Sequence, residues 1–178
     1  DLLAFLRLKN NPSSVLEFER VLGLMKGVGK SKIEQLKDLA KSKKVFIRES
    51  LNYLASLRIS PQLKRNLAEL QALLEDEEKN PIESFLKFFD YQNALEKKYN
   101  LDPEKIMDKK ENIGVLLELF KEYNSSKKGV MDFLDSLIEI EKKEKDKGKI
   151  ILSTIHSAKG LEWKHVYLAG CNETILPF

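Results

Sequence analysis

Two short stretches concentrate the residue types that could do chemistry in this chain. In Thr154-Ile155-His156-Ser157-Ala158-Lys159-Gly160-Leu161-Glu162-Trp163, a hydroxyl, an imidazole and an ammonium lie beside a glycine and a carboxylate. The first three suit phosphates and the carboxylate suits a sugar hydroxyl. Polar groups beyond the carboxyl end of a strand are where open α/β sheets bind ligands. The same residues also suit a solvated loop. The second stretch, Met25-Lys26-Gly27-Val28-Gly29-Lys30-Ser31-Lys32, ends like a phosphate-binding P-loop. That motif requires a glycine where Leu24 stands and a strand before it, whereas Phe18-Glu19-Arg20-Val21-Leu22 is helical in pattern. A hairpin between two helices fits better. Glycines free its backbone, N–H groups at a helix N-terminus can grip a phosphate, and Lys26, Lys30 and Lys32 add charge. A plain helix-capping turn is the alternative.

Charge supports the hairpin. Net charge is only +3, yet Lys26 to Arg48 holds eight basic residues against two acidic ones, Glu34 and Asp38. A basic stretch is often just a solvated helix face, and Glu75-Asp76-Glu77-Glu78 is its acidic counterpart. Here the glycine pair gives the excess a second reason.

Positioning these stretches requires two kinds of structure. Up to about residue 148 apolar residues recur at helical spacing, as in Leu63, Leu67, Leu70 and Leu74. Ser60-Pro61, Asn80-Pro81 and Asp102-Pro103 each offer an N-cap acceptor followed by proline at the first helical position. Further helices are expected at 1–9, 13–23, 31–42, 45–58 and 127–145, making about eight in a mainly α, bundle-like region. Phe85, Phe88, Phe89, Tyr91 and Tyr99 read as core at helical spacing rather than as base-stacking groups. After Lys149 the pattern changes: 150–155 and 165–170 are short, apolar and β-branched, two strands of an α/β sheet with His165 in a structural role. The expected boundary falls near 148–150, giving a helical domain over 1–149 and a partial one over 150–178.

Composition excludes other classes. With 42% apolar and 33% charged residues, no run approaches the roughly 18 apolar residues of a membrane span. One cysteine, Cys171, and two histidines favour a reducing, cytoplasmic setting and argue against a metal centre. The opening Asp1-Leu2-Leu3 lacks an initiator methionine and a signal peptide, so the chain reads as part of something longer.

The stretch 154–163 closely resembles motif V of superfamily 1 helicases of the UvrD/Rep/PcrA group, T-h-H-x-x-K-G-L-E-[FW], followed by a strand and a segment ending in h-P, here Ile175-Leu176-Pro177. The Gly27-Val28-Gly29 element resembles the G-[IV]-G hairpin of the group's helical 2B subdomain. Leu3 to Leu8 and Phe18 to Val21 resemble the run before it. The resemblance covers both ends of the chain, residues 1–32 and 150–178. It implies duplex DNA at Lys26, Gly27, Val28, Gly29, Lys30, Ser31 and Lys32, single-stranded DNA at Thr154, His156 and Lys159, and nucleotide at Gly160 and Glu162, with Lys159 and Gly160 shaping the turn between them. It implies that 150–178 is a two-strand piece of a RecA-like 2A motor domain. The parent would be an ATP- and magnesium-dependent 3′ to 5′ helicase of DNA repair or replication. This chain alone would lack catalysis, having no recognisable phosphate-cradling loop, magnesium carboxylate or arginine finger. The helical insertion is shorter than in the best-known members, which bears on the reach of its duplex contacts. Two other readings are a free-standing helix-hairpin-helix DNA-binding module and a helical platform for protein partners.

Overall fold

The computed structural model describes residues 1–100, 102–145 and 150–169. The chain separates into two compact units, Asp1–Ile140 and Glu141–Phe178.

The first unit is helical. Its elements are α1 (Leu2–Asn10), α2 (Val15–Leu22), α3 (Lys30–Lys43), a 3-10 stretch (Arg48–Ser56), α4 (Pro61–Glu75), α5 (Pro81–Phe88), α6 (Tyr91–Lys98) and α7 (Pro103–Phe120). Helix α8 (Lys127–Lys145) begins in this unit. The three proline starts form as local chemistry dictates. The Ser60 hydroxyl accepts from Leu63 N–H at 3.2 Å, Asn80 Oδ1 from Ile82 and Glu83 N–H at 2.9 and 3.3 Å, and Asp102 Oδ1 from Lys105 N–H at 3.0 Å. Each satisfies first-turn donors that the helix leaves without a partner.

Helix α1 is the spine of the core. Phe5, Leu6 and Leu8 are fully buried among Phe18, Val21 and Leu22 of α2, Leu67, Leu70 and Leu74 of α4, and Ile82 and Phe85 of α5. The Phe85 ring lies 5.4 Å from that of Phe5 and 5.0 Å from that of Tyr91. A second aromatic group joins the α7 and α8 ends of the core, with Phe133 5.1 Å from Phe120 and 5.5 Å from Tyr123. Glycine at 129 is obligatory for that turn, because a Cβ there would collide with the Asn124 carbonyl.

Two expectations are corrected. The α-helix expected over 45–58 is a 3-10 stretch interrupted at Tyr53 (φ −113°, ψ 22°). Its apolar side chains Leu51, Leu54 and Leu57 are spaced by three, and a three-residue turn stacks such positions on one face. The aromatic residues after Pro81 fall on two helices, because Asp90 takes φ 45° between α5 and α6. Finally, neither 150–155 nor 165–169 is a strand. Short β-branched segments become strands only when they are paired into a sheet. Gly170, Cys171 and Ile175-Leu176-Pro177 lie outside the described residues, as do 146–149 at the expected domain boundary.

Among the described residues, no helix is long and apolar enough to cross a membrane, and no group of His, Cys, Asp or Glu could hold a metal ion.

Candidate nucleic-acid interface

The glycine-rich hairpin is built between two buried anchors. Helix α2 seats Phe18, Val21 and Leu22 in the core, and the chain then makes one further turn through Leu24 N–H to Val21 O and Met25 N–H to Leu22 O. Met25 and Val28, both 8% exposed, bracket a tight turn closed by Val28 N–H donating to Met25 O at 3.1 Å. Lys26 and Gly27 form its exposed tip. Gly27 sits at φ +87°, the left-handed region that the third position of a type II turn requires. The two apolar ends therefore fix a loop whose middle stands in water.

Gly29 follows with a different character. It is the N-cap of α3, with φ −100° and ψ 178°, and its carbonyl accepts from Lys32 and Ile33 N–H at 3.0 and 3.2 Å. That backbone suits any residue, and a Cβ at this position would meet nothing within 4 Å. The fold does not require glycine here. A ligand approaching the backbone closely would. Lys30 and Ser31 open α3, so their N–H groups have no acceptor inside the helix. Gly29 has no side chain to cap them, and all three residues are exposed. The positive end of the helix dipole and open amide donors thus meet at one exposed corner, with Lys26 and Lys30 nearby in sequence.

The wider basic stretch is less available than its composition implies. Lys37 pairs with Glu19 and Glu34, and these hydrogen bonds raise its pKa above the usual lysine value. Arg48 is buried and donates from Nη1 to the Leu8 and Lys9 carbonyls at 3.2 and 2.6 Å, closing the C-terminus of α1. Lys41, Lys43 and Lys44 lie at the far end of α3, about 20 Å from Gly29 at 1.5 Å per residue. Much of the local excess is therefore structural or distant. Lys32 is half-buried, and its Nζ lies 3.5 Å from the Arg58 carbonyl, to which it donates.

This last contact exposes a residue that sequence reasoning missed. Lys26, Gly27 and Lys32 share a cleft of about 380 Å³ with Arg58, Ser60 and Asn66, in the connection into α4 and its first turns. On its other side Lys26 borders a larger hollow with Lys79, Lys87, Phe88 and Phe89. Of the aromatics expected in the core, Phe85 is fully buried, whereas Phe88 and Phe89 are half-buried at this hollow. The sequence signal for Arg58 was its place just before the Ser60-Pro61 helix start.

In the second unit, residues 154–161 form successive turns. Ala158 N–H donates to Thr154 O at 2.9 Å and Leu161 N–H to Ala158 O at 3.0 Å. Gly160 takes φ +86°. The Thr154 hydroxyl is engaged within the turn, accepting from Ser157 N–H at 3.1 Å and donating to Ser157 Oγ at 2.9 Å. His156, Lys159, Gly160, Glu162 and His165 are exposed. The hairpin and this segment belong to different units.

Comparison with known proteins bears on both segments together. The family described as UvrD-like helicase C-terminal domain matches residues 1–178. The chain is similar to the ATP-dependent DNA helicase PcrA of Staphylococcus aureus (strain NCTC 8325 / PS 47), with 26% identity over 99% of this chain and 26% of that protein. It is also similar to the ATP-dependent DNA helicase PcrA of Bacillus subtilis (strain 168), with 28% identity over the same shares. The chain thus spans about a quarter of the length of these relatives. No solved structure matches it.

Proposed function

From the membership of this chain in the UvrD-like helicase C-terminal domain family, we propose that it is a part of an ATP-dependent 3′ to 5′ DNA helicase that holds duplex DNA and lends one motif to the motor. Residues 1–149 are the helical subdomain and residues 150–178 a piece of the motor domain. The observation that carries the duplex-binding role is Gly29, a glycine the fold does not require, at an exposed helix N-terminus whose first amides lack a cap. Duplex phosphate is the ligand that such a corner suits. Gly27 shapes the turn, Val28 anchors it, Lys26 and Lys30 supply charge, and the Ser31 amide and hydroxyl add donors.

Thr154, His156 and Lys159 then face single-stranded DNA, and Gly160 and Glu162 the nucleotide, once the segment stands in a complete motor domain. There 150–155 and 165–170 gain the neighbouring strands that they need. ATP with magnesium is bound by the assembled helicase, where Glu162 addresses the sugar.

The test is Gly29→Val. An extended backbone with open space around the new side chain accommodates it, so the fold should hold, with the melting temperature lowered by a few degrees at most for the poorer N-cap residue. Duplex affinity should fall about tenfold or more, the scale of losing charge-assisted hydrogen bonds. Unchanged affinity would reduce the hairpin to a helix cap. For the motor segment, Glu162→Ala in the whole helicase should slow ATP turnover, and an unaffected rate would remove Glu162 from the nucleotide site.

A further inference from the structure

The cleft beside the hairpin has the chemistry of a second anion site. Its cations come from three separate parts of the fold: Lys26 from the turn, Lys32 from α3 and Arg58 from the connection into α4. No carboxylate lines it. Several exposed lysines elsewhere pair with an acid three residues away, as in Lys105–Asp102 and Lys121–Glu118. The Arg58 side chain is exposed and has no carboxylate partner among the described residues. Only its backbone carbonyl is engaged, by Lys32. That contact brings the Lys32 ammonium to the Arg58 backbone, and both residues line the cleft. The α4 face of the cleft, Gln62, Leu63 and Asn66, is uncharged, with Gln62 donating to Asn66 at 2.8 Å. Like charges gathered without counter-charge cost free energy unless an anion joins them, and a guanidinium suits a phosphodiester because its planar fork can bond two oxygens at once.

We propose that this cleft holds a second phosphate of the same duplex, distinct from the one at Gly29, with Arg58 as its main contact and Lys32 and Lys26 as its flanks. The proposal rests on the reading of the hairpin as a duplex clamp, and it extends the footprint from one helix start to two adjoining elements. It also helps explain how a short helical insertion can hold a duplex. One phosphate contact leaves a rod free to pivot, whereas two contacts on different elements fix its direction.

The experiment is the salt dependence of duplex binding by the full chain, measured with a short blunt duplex for the wild type, Arg58→Ala, Arg58→Lys and Gly29→Val. Thermal melting checks that each variant folds. Each phosphate neutralised contributes about 0.9 to the slope of log affinity against log salt. Arg58→Ala should flatten the slope by about that amount, and Arg58→Lys should restore it because the charge is kept. An unchanged slope in Arg58→Ala overturns the cleft site. If Gly29→Val still loses affinity in that case, the hairpin reading stands alone. If Gly29→Val keeps its affinity while Arg58→Ala flattens the slope, the hairpin reading fails and the cleft is the phosphate contact. Inorganic phosphate is the remaining probe. If it protects Arg58 from guanidinium-modifying reagents as well as the duplex does at equal phosphate, the site is one for free phosphate and the proposal is overturned.

Discussion

At the residue scale, cations in this chain divide into those that serve the fold and those open to a ligand. Lys9 is the extreme of the first kind. It is fully buried, and its ammonium donates to the Leu74 carbonyl at 3.3 Å and to the Asp76 carbonyl, closing the C-terminal end of α4. Burial lowers its pKa from the ordinary 10.5, and the charges of Asp76 and Glu77 only partly oppose this. In the window between the lowered folded value and 10.5, the unfolded chain binds more protons, so stability rises with pH. Lys9→Met should remove that slope. It should also cost about 1–3 kcal/mol by leaving two carbonyls without a donor. Urea unfolding across the alkaline range would show it, as a gap between wild type and variant that widens as pH rises. A constant gap would mean that Lys9 titrates alike in both states. Arg48 belongs to the same class. The sequence presented it as part of a basic patch because composition does not reveal that a carbonyl cluster awaits it 39 and 40 residues away.

At the element scale, what was legible was what is local. The caps at Ser60, Asn80 and Asp102 depend on residues two or three positions away, so the helix starts at 61, 81 and 103 were readable. The hairpin was readable for the same reason, since Gly27 and Gly29 act within one turn. The 3-10 stretch was not, because its geometry answers to what Leu51 and Leu54 pack against. Nor was the absence of strand at 150–155 and 165–169, because a strand depends on its place in a sheet and not on its own residues. Among the described residues two non-glycine positions are locally strained: Lys44 ends α3 at φ 55° and Asp90 starts α6 at φ 45°. The Lys44 turn is hydrogen-bonded from its own N–H and from Val45 N–H back to α3, the kind of ending that glycine serves best. Lys44→Gly should therefore stabilise the first unit by about 1 kcal/mol, read as a rise of a few degrees in melting temperature. A fall would show that the Lys44 side chain contributes more than its backbone costs.

At the scale of the whole molecule, the family membership covers the entire chain, while the structural basis for activity is split between two units. The hairpin corner is complete within Asp1–Ile140, since every residue that shapes it, from Phe18 to Ser60, lies there. The segment 154–163 has its residues in order, but its Thr154 hydroxyl is engaged within its own turn. On the proposed function, the first unit is where the chain should grip duplex DNA. The most direct measurement is a titration of the isotopically labelled chain with a short duplex, following backbone amide signals. The account predicts that the largest changes fall on Gly29, Lys30 and Ser31, spread to Lys26 and Arg58, and spare the exposed faces of α7. Changes centred on α7, or none at Gly29 to Ser31 at saturating duplex, would contradict it.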